Sequence, residues 1–121
     1  MAEQRVIIEM GMGNDLHGQD YTKAARRAIE DAFRHSSLPL FGVLDLDPAV
    51  MRVQVTVGVQ DPDAVDCDTL VATLPRGRAT VRATLGGLNV TNPDTGEVTV
   101  VASAAVEAFL PPQTNWRLQS K

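Results

Sequence analysis

Glu97-Val98-Thr99-Val100-Val101-Ala102-Ser103-Ala104-Ala105-Val106-Glu107-Ala108-Phe109-Leu110 decides the architecture of this chain. Side chains alternate along an extended strand, so Val98, Val100, Ala102, Ala104, Val106 and Ala108 fall on one face. Val101, Ser103 and Ala105 occupy much of the other. A strand that is small and apolar on both faces belongs inside a sheet and is covered on both sides. Pro111-Pro112 ends it, and an amphipathic tail with the only tryptophan, Trp116, follows.

Working outward, Asn92-Pro93-Asp94-Thr95-Gly96 reads as a hairpin turn into this strand. Arg78–Val90 reads as the preceding strand, with Gly86-Gly87 marking a bulge or a close backbone contact. In Met51–Val59, Met51, Val53, Val55, Val57 and Val59 alternate with Arg52, Gln54, Thr56 and Gly58, a strict strand pattern. Asp61-Pro62-Asp63 opens a helix that buries Val65, Cys67, Leu70, Val71 and Leu74 and stops at Pro75-Arg76-Gly77.

Asp20 to about Arg34 is the clearest helix. Tyr21, Ala24, Ala25, Ala28, Ile29, Ala32 and Phe33 form one stripe, and the many alanines predict a close approach to what lies beneath. Arg26–Glu30, Arg27–Asp31 and Glu30–Arg34 stand four apart and can pair. Asp20 is the N-cap, Ser36, Ser37 and Pro39 end the helix, and His35 suits its C-terminal dipole. Leu38–Pro48 is a connector with a short apolar piece, Phe41-Gly42-Val43-Leu44. Arg5–Met12 is the first strand, with Val6, Ile8, Met10 and Met12 on one face and Ile7 and Glu9 on the other. Glu9 is then either paired with an arginine of a neighbouring strand or an acid or base with a raised pKa.

The order is strand, helix, strand, helix, strand, strand. Helical crossovers allow the first three strands to run parallel, and the hairpin makes the last antiparallel. The expected fold is therefore α+β: a βαβαββ mixed four-stranded sheet with both helices on one face and the last strand between the first and second. Residues 1–121 form one domain. Two helices leave the other sheet face bare, and self-association is the expected cover.

The composition is globular, and the formal net charge of −4 argues against a general nucleic-acid binder. One cysteine, Cys67, excludes an internal disulfide and fits a reducing compartment. Met1-Ala2-Glu3-Gln4-Arg5 lacks the pattern of a signal peptide, and no apolar run spans a bilayer. A cytoplasmic protein without nucleic-acid or membrane partners is expected.

The chemistry concentrates in Glu9-Met10-Gly11-Met12-Gly13-Asn14-Asp15-Leu16-His17-Gly18-Gln19-Asp20-Tyr21-Thr22-Lys23. It reads as a glycine-rich turn from strand to helix, the place where α/β sheets bind ligands. It is neither a dinucleotide fingerprint nor a P-loop. Gly11 and Gly13 let a ligand approach the backbone, and Asp20 lies at the helix N-terminus with them. Lys23 and Lys121 are the only lysines, so Lys23 is a candidate base or nucleophile, with a solvated first-turn residue as the alternative. His17 is a candidate proton carrier and Asp15 its orienting carboxylate. Asp15-x-His17 has no second ligand cluster, and neither metal nor cofactor is expected. Ser103 is a nucleophile or a packing residue. Arg52, Arg76, Arg78 and Arg82 either hold a planar anion at a subunit boundary or pair with Glu9, Glu97 and Glu107.

The topology resembles the bacterial chorismate mutase-like fold, whose members form trimers with sites between subunits. Ile8–Asp20 with Thr22-Lys23-Ala24-Ala25, Leu85-Gly86-Gly87-Leu88 and Ala104-Ala105-Val106-Glu107 looks like a small bacterial family of conserved hypothetical proteins named after a "lin" locus. The ring-opening amidohydrolases, cyanuric acid hydrolase and barbiturase, look like three such units fused, with serine–lysine pairs at the interfaces. Here the comparable strand ends Val57-Gly58-Val59-Gln60-Asp61-Pro62, with no serine. Met10-Gly11-Met12 stands where chorismate mutases of this fold place an arginine. The resemblance implies a homotrimer, or a multiple of one, with a small-molecule site between subunits. That site is either a hydrolase centre for cyclic amides or a non-catalytic module for a small polar or anionic molecule.

Overall fold

The computed structural model describes residues 4–34, 51–74 and 78–111. The elements are β1 (Gln4–Asp15), α1 (Tyr21–Arg34), β2 (Arg52–Val59), a 3-10 turn (Pro62–Ala64), α2 (Cys67–Ala72), β3 (Arg78–Leu85), β4 (Leu88–Thr91) and β5 (Val98–Leu110). The strand order is β1-β5-β2-β3, so the last strand lies between the first and second, as its two-sided apolar character predicts. β5 runs antiparallel to both β1 and β2, and β2 and β3 are parallel.

The sheet has five strands rather than four, because the stretch read as one strand over Arg78–Val90 is broken. Gly86 and Gly87 carry the chain across the end of β2, and β4 then pairs with β5 beyond the point where β2 stops. The crossing is tight. A Cβ on Gly58 would meet Gly86 Cα at 3.3 Å, and Gly87 has φ +63° with its Cα pressed towards the Val101 carbonyl. The helix expected from Asp61 is also interrupted. Its proline turn closes first, and Asp66 then caps a new start by accepting from Thr69 N at 3.1 Å.

Both helices cover one face. Ala24, Ala25, Ala28, Ile29 and Ala32 of α1 and Leu70 of α2 share a single core with Val53, Val55, Val57 and Val59 of β2 and Val100, Val106 and Leu110 of β5. Each large aliphatic side chain fully buried there contributes about 1.5–3 kcal/mol of transfer free energy. Thr22 ties the helices together: its hydroxyl accepts from Asp66 N at 2.9 Å and donates to the Ala64 carbonyl at 3.4 Å.

β1 continues through Asp15, three residues past the expected Met12. Gly11 and Gly13 therefore lie in a strand, not in a turn. A Cβ on either would collide with the backbone of α1 at Ala24, Ala28 and Ala32. These glycines and alanines are complementary: each partner lacks side-chain bulk where the other approaches. Arg27 and Asp31 reach β1 itself, Arg27 donating to the Asn14 carbonyl at 2.8 Å and Asp31 accepting from Met12 N at 3.0 Å. Of the expected helical pairs, Arg26–Glu30 stands at 3.8 Å.

On the opposite face, Ile8, Met10 and Met12 share rows with Glu107, Ala105 and Ser103 of β5 and with Gln54, Thr56 and Gly58 of β2. Thr80, Arg82 and Thr84 of β3 complete the rows. Val6 falls out of the expected alternation because β1 shifts register between Arg5 and Ile7. Glu9 lies half-buried on the helix side, opposite Val106. No helix of the described residues covers the open face, and Met10, Met12 and Ile8 are 65%, 64% and 41% exposed there. The expectations for His35, the Phe41–Leu44 piece, Pro75–Gly77 and Trp116 lie outside the described residues. Among those described, no helix is long and apolar enough to cross a membrane.

Candidate functional site

The β1–α1 connection is shorter than the glycine content implies. It comprises Leu16–Asp20, with Gly18 at φ +86° and Gln19 at φ +51° reversing the chain. Gln19 is the only non-glycine with positive φ among the described residues, a conformation that costs energy for a side chain with a Cβ.

Asp15 closes the turn from below. Its side chain is almost fully buried; one oxygen accepts from Asp20 N at 2.9 Å and the other faces Lys23 Nζ at 3.5 Å. The Asp20 N–H holds the carboxyl below the usual aspartate range, burial opposes it, and the charges of Lys23 and Arg27 reinforce the lowering. Asp20 in turn accepts from Lys23 N at 3.0 Å and so caps α1, as the sequence predicts. Asp15, Asp20 and Lys23 are thus brought together, and together they hold the strand to the helix.

His17 stands apart from this group. Its Nδ1 lies 2.8 Å from Glu97 Oε2, so its orienting carboxylate is Glu97 rather than Asp15. Both side chains are exposed. An ionised carboxylate only accepts hydrogen bonds, so in this contact Nδ1 is the donor and Nε2 is the ring nitrogen turned away from Glu97. The hairpin turn positions Glu97 through Asn92 N to the Glu97 carbonyl at 2.8 Å and Gly96 N to the Asn92 carbonyl at 2.9 Å. His17, Gly18, Gln19, Gly96, Glu97 and Val98 line an open cleft of about 200 Å³. This arrangement can accept a proton at Nε2 and offer polar contacts to a small molecule.

The remaining candidates lie elsewhere. Gly11 and Gly13 are under α1, where its backbone covers them. Arg52 packs its guanidinium 4.1 Å over the Phe109 ring, and Arg82 Nε donates to Thr56 Oγ1 at 3.0 Å. Arg52 sits opposite Phe109 while Asp15 sits opposite Val100, a separation of about 30 Å along β5 at ~3.3 Å per residue. Within one chain, therefore, Arg52 and the His17 turn do not meet. The Arg76 and Arg78 side chains lie outside the described residues. Among the described residues no group of three histidine, cysteine or acidic side chains is placed to hold a metal. Glu97, which the sequence suggests only as a partner for an arginine, meets His17 instead, and this pairing is what sequence reasoning missed. The signal was the antiparallel pairing of the first and last strands, which sets the hairpin beside the end of β1.

The conserved hypothetical protein family Lin0512_fam matches residues 5–108. A solved structure described as an FtsZ-like protein of unknown function, from Nostoc punctiforme, is 38% identical, with a TM-score of 0.79. The match covers 93% of this chain and 99% of that one. Among curated proteins none matches. With the family match running from the first strand into the last, this chain belongs to the Lin0512 family of conserved hypothetical proteins.

Proposed function

We propose that this chain works as a homotrimer, or a multiple of one, closed through the open face of its sheet, and binds a small polar or anionic molecule at the His17–Glu97 cleft near the boundary between copies. The observation that carries this reading is the row of exposed Ile8, Met10 and Met12 on a sheet face that no helix of the described residues covers. Methionine adapts to irregular partner surfaces, and an exposed apolar patch on a sheet marks an interaction surface. Binding is favoured over nucleophilic catalysis because Lys23 is committed to Asp15. A second reading, hydrolysis of a cyclic amide, draws support from one contact: Glu97 holds His17 with Nε2 free to act as a general base.

Light scattering at micromolar concentration tests the assembly, and a stable monomer there rules it out. The double variant Met10→Glu/Met12→Glu is expected to weaken assembly by about 100-fold or more, since each buried methionine contributes ~1.5–3 kcal/mol, while circular dichroism stays native. His17→Ala and Glu97→Gln are expected to leave thermal stability within about 1 kcal/mol of wild type, because the pair is exposed. Both should remove the hits of a metabolite thermal-shift screen followed by a turnover assay. Hits retained by both variants would place the ligand elsewhere.

A further inference from the structure

We infer that the β2–β3 half of the open sheet face is a binding site for a small oxoanion, a carboxylate or phosphate group, with Arg82 as its charged anchor. The open face is divided. Its β1 side carries Ile8, Met10 and Met12, and its β3 side carries Thr80, Arg82 and Thr84 beside Gln54 and Thr56 of β2. Arg82 is exposed, and among the described residues no acidic side chain pairs with it. The one carboxylate among the described residues on these rows, Glu107, is taken by Arg5 at 3.1 Å.

The guanidinium is also pre-oriented. Its Nε donates to Thr56 Oγ1 at 3.0 Å, which fixes the plane of the fork; among the described residues neither terminal amino group has a partner, so both are open to a bidentate anion. Thr80 and Thr84, two positions away on the same strand face, add hydroxyl donors on either side. The need for an anion rests on the oligomeric reading above: a second copy laid on this face would enclose Arg82, and an enclosed guanidinium requires a counter-charge. Among the described residues this face has no acid to spare, so a bound oxoanion supplies it.

The test is calorimetric titration of the full chain with inorganic phosphate and, separately, with malonate, alongside light scattering in each buffer. Saturable binding of at least one probe is expected, and the two arms distinguish a phosphoryl from a carboxylate preference. Arg82→Gln should weaken that binding by at least 10-fold while the assembly persists. Arg82→Lys should recover only part of it, since an ammonium cannot form the fork. Thr56→Val should weaken it severalfold by releasing the fork. A wild-type assembly that binds neither probe overturns the inference, as does binding unchanged in Arg82→Gln. Dissociation of Arg82→Gln without anion binding by the wild type also overturns it, by making Arg82 half of an ion pair between copies. A monomeric wild type that still binds through Arg82 sustains the anion site and defeats only the trimer.

Discussion

Gly13→Ala is expected to destabilise the protein by about 3 kcal/mol or more, the upper end for overpacking a core. The new Cβ would fall against Ala28 N and lie 2.6 Å from both the Ala24 carbonyl oxygen and the Arg27 carbonyl carbon. All three are helix backbone atoms, so no side chain can swing aside. The helix would have to lift off β1, opening contacts around Ala24, Ala28 and Ala32, each of which is fully buried. Gly11→Ala meets the same obstacle one step along the strand, at Ala28 and Ala32. The two substitutions should be strongly non-additive, because one displacement of α1 relieves both. For a domain of this size the single change corresponds to a loss of roughly 10–15 °C in the midpoint of thermal unfolding. A Gly13→Ala protein melting within a degree or two of wild type would show that α1 does not rest on β1 as described.

Asp15→Ala is expected to cost about 3 kcal/mol, because it strips a partner from the Asp20 N–H and from the Lys23 ammonium at a nearly closed site. Asp15→Asn keeps an acceptor for the N–H but no charge for Lys23, and should cost about 1–2 kcal/mol. The pH dependence separates the two contributions. Because the folded carboxyl titrates below its ordinary value, its stabilisation is fully present above the unfolded pKa. It is lost as pH falls through the folded value. Urea titrations should therefore show a constant gap between wild type and Asp15→Asn from neutral pH down to about pH 4, narrowing only below that. A gap that changed near neutrality would assign the effect to another group. By the same geometry, Lys23→Ala should lower stability measurably rather than act on ligand binding alone.

The strand order was legible in the residues. Val98–Leu110 is small and apolar on both faces, and Met51–Val59 alternates without a break. Only a central position suits the first, and only a sheet with one face covered suits the second. The α1 stripe and its Asp20 cap were legible for the same reason: both are local patterns with a fixed period or spacing. The split between β3 and β4 was only half visible. Gly86-Gly87 announced a close contact, but whether the chain bulges or crosses depends on what lies beside it, here the end of β2 and the Val101 carbonyl.

The role of Gly11 and Gly13 could not be read locally. A glycine that permits a turn and a glycine that admits a helix backbone look the same in sequence, and tertiary packing chose the second. The matching alanines at Ala24, Ala28 and Ala32 held the clue, but only once paired with a strand. The partner of His17 was equally hidden. Asp15 is two residues away and Glu97 eighty, yet the alternation of β1 turns Asp15 inwards to Asp20 N and Lys23. The antiparallel register of β1 and β5 instead carries the hairpin to the imidazole. Proximity along the chain determined the list of titratable groups in this turn, and strand register decided which of them meet.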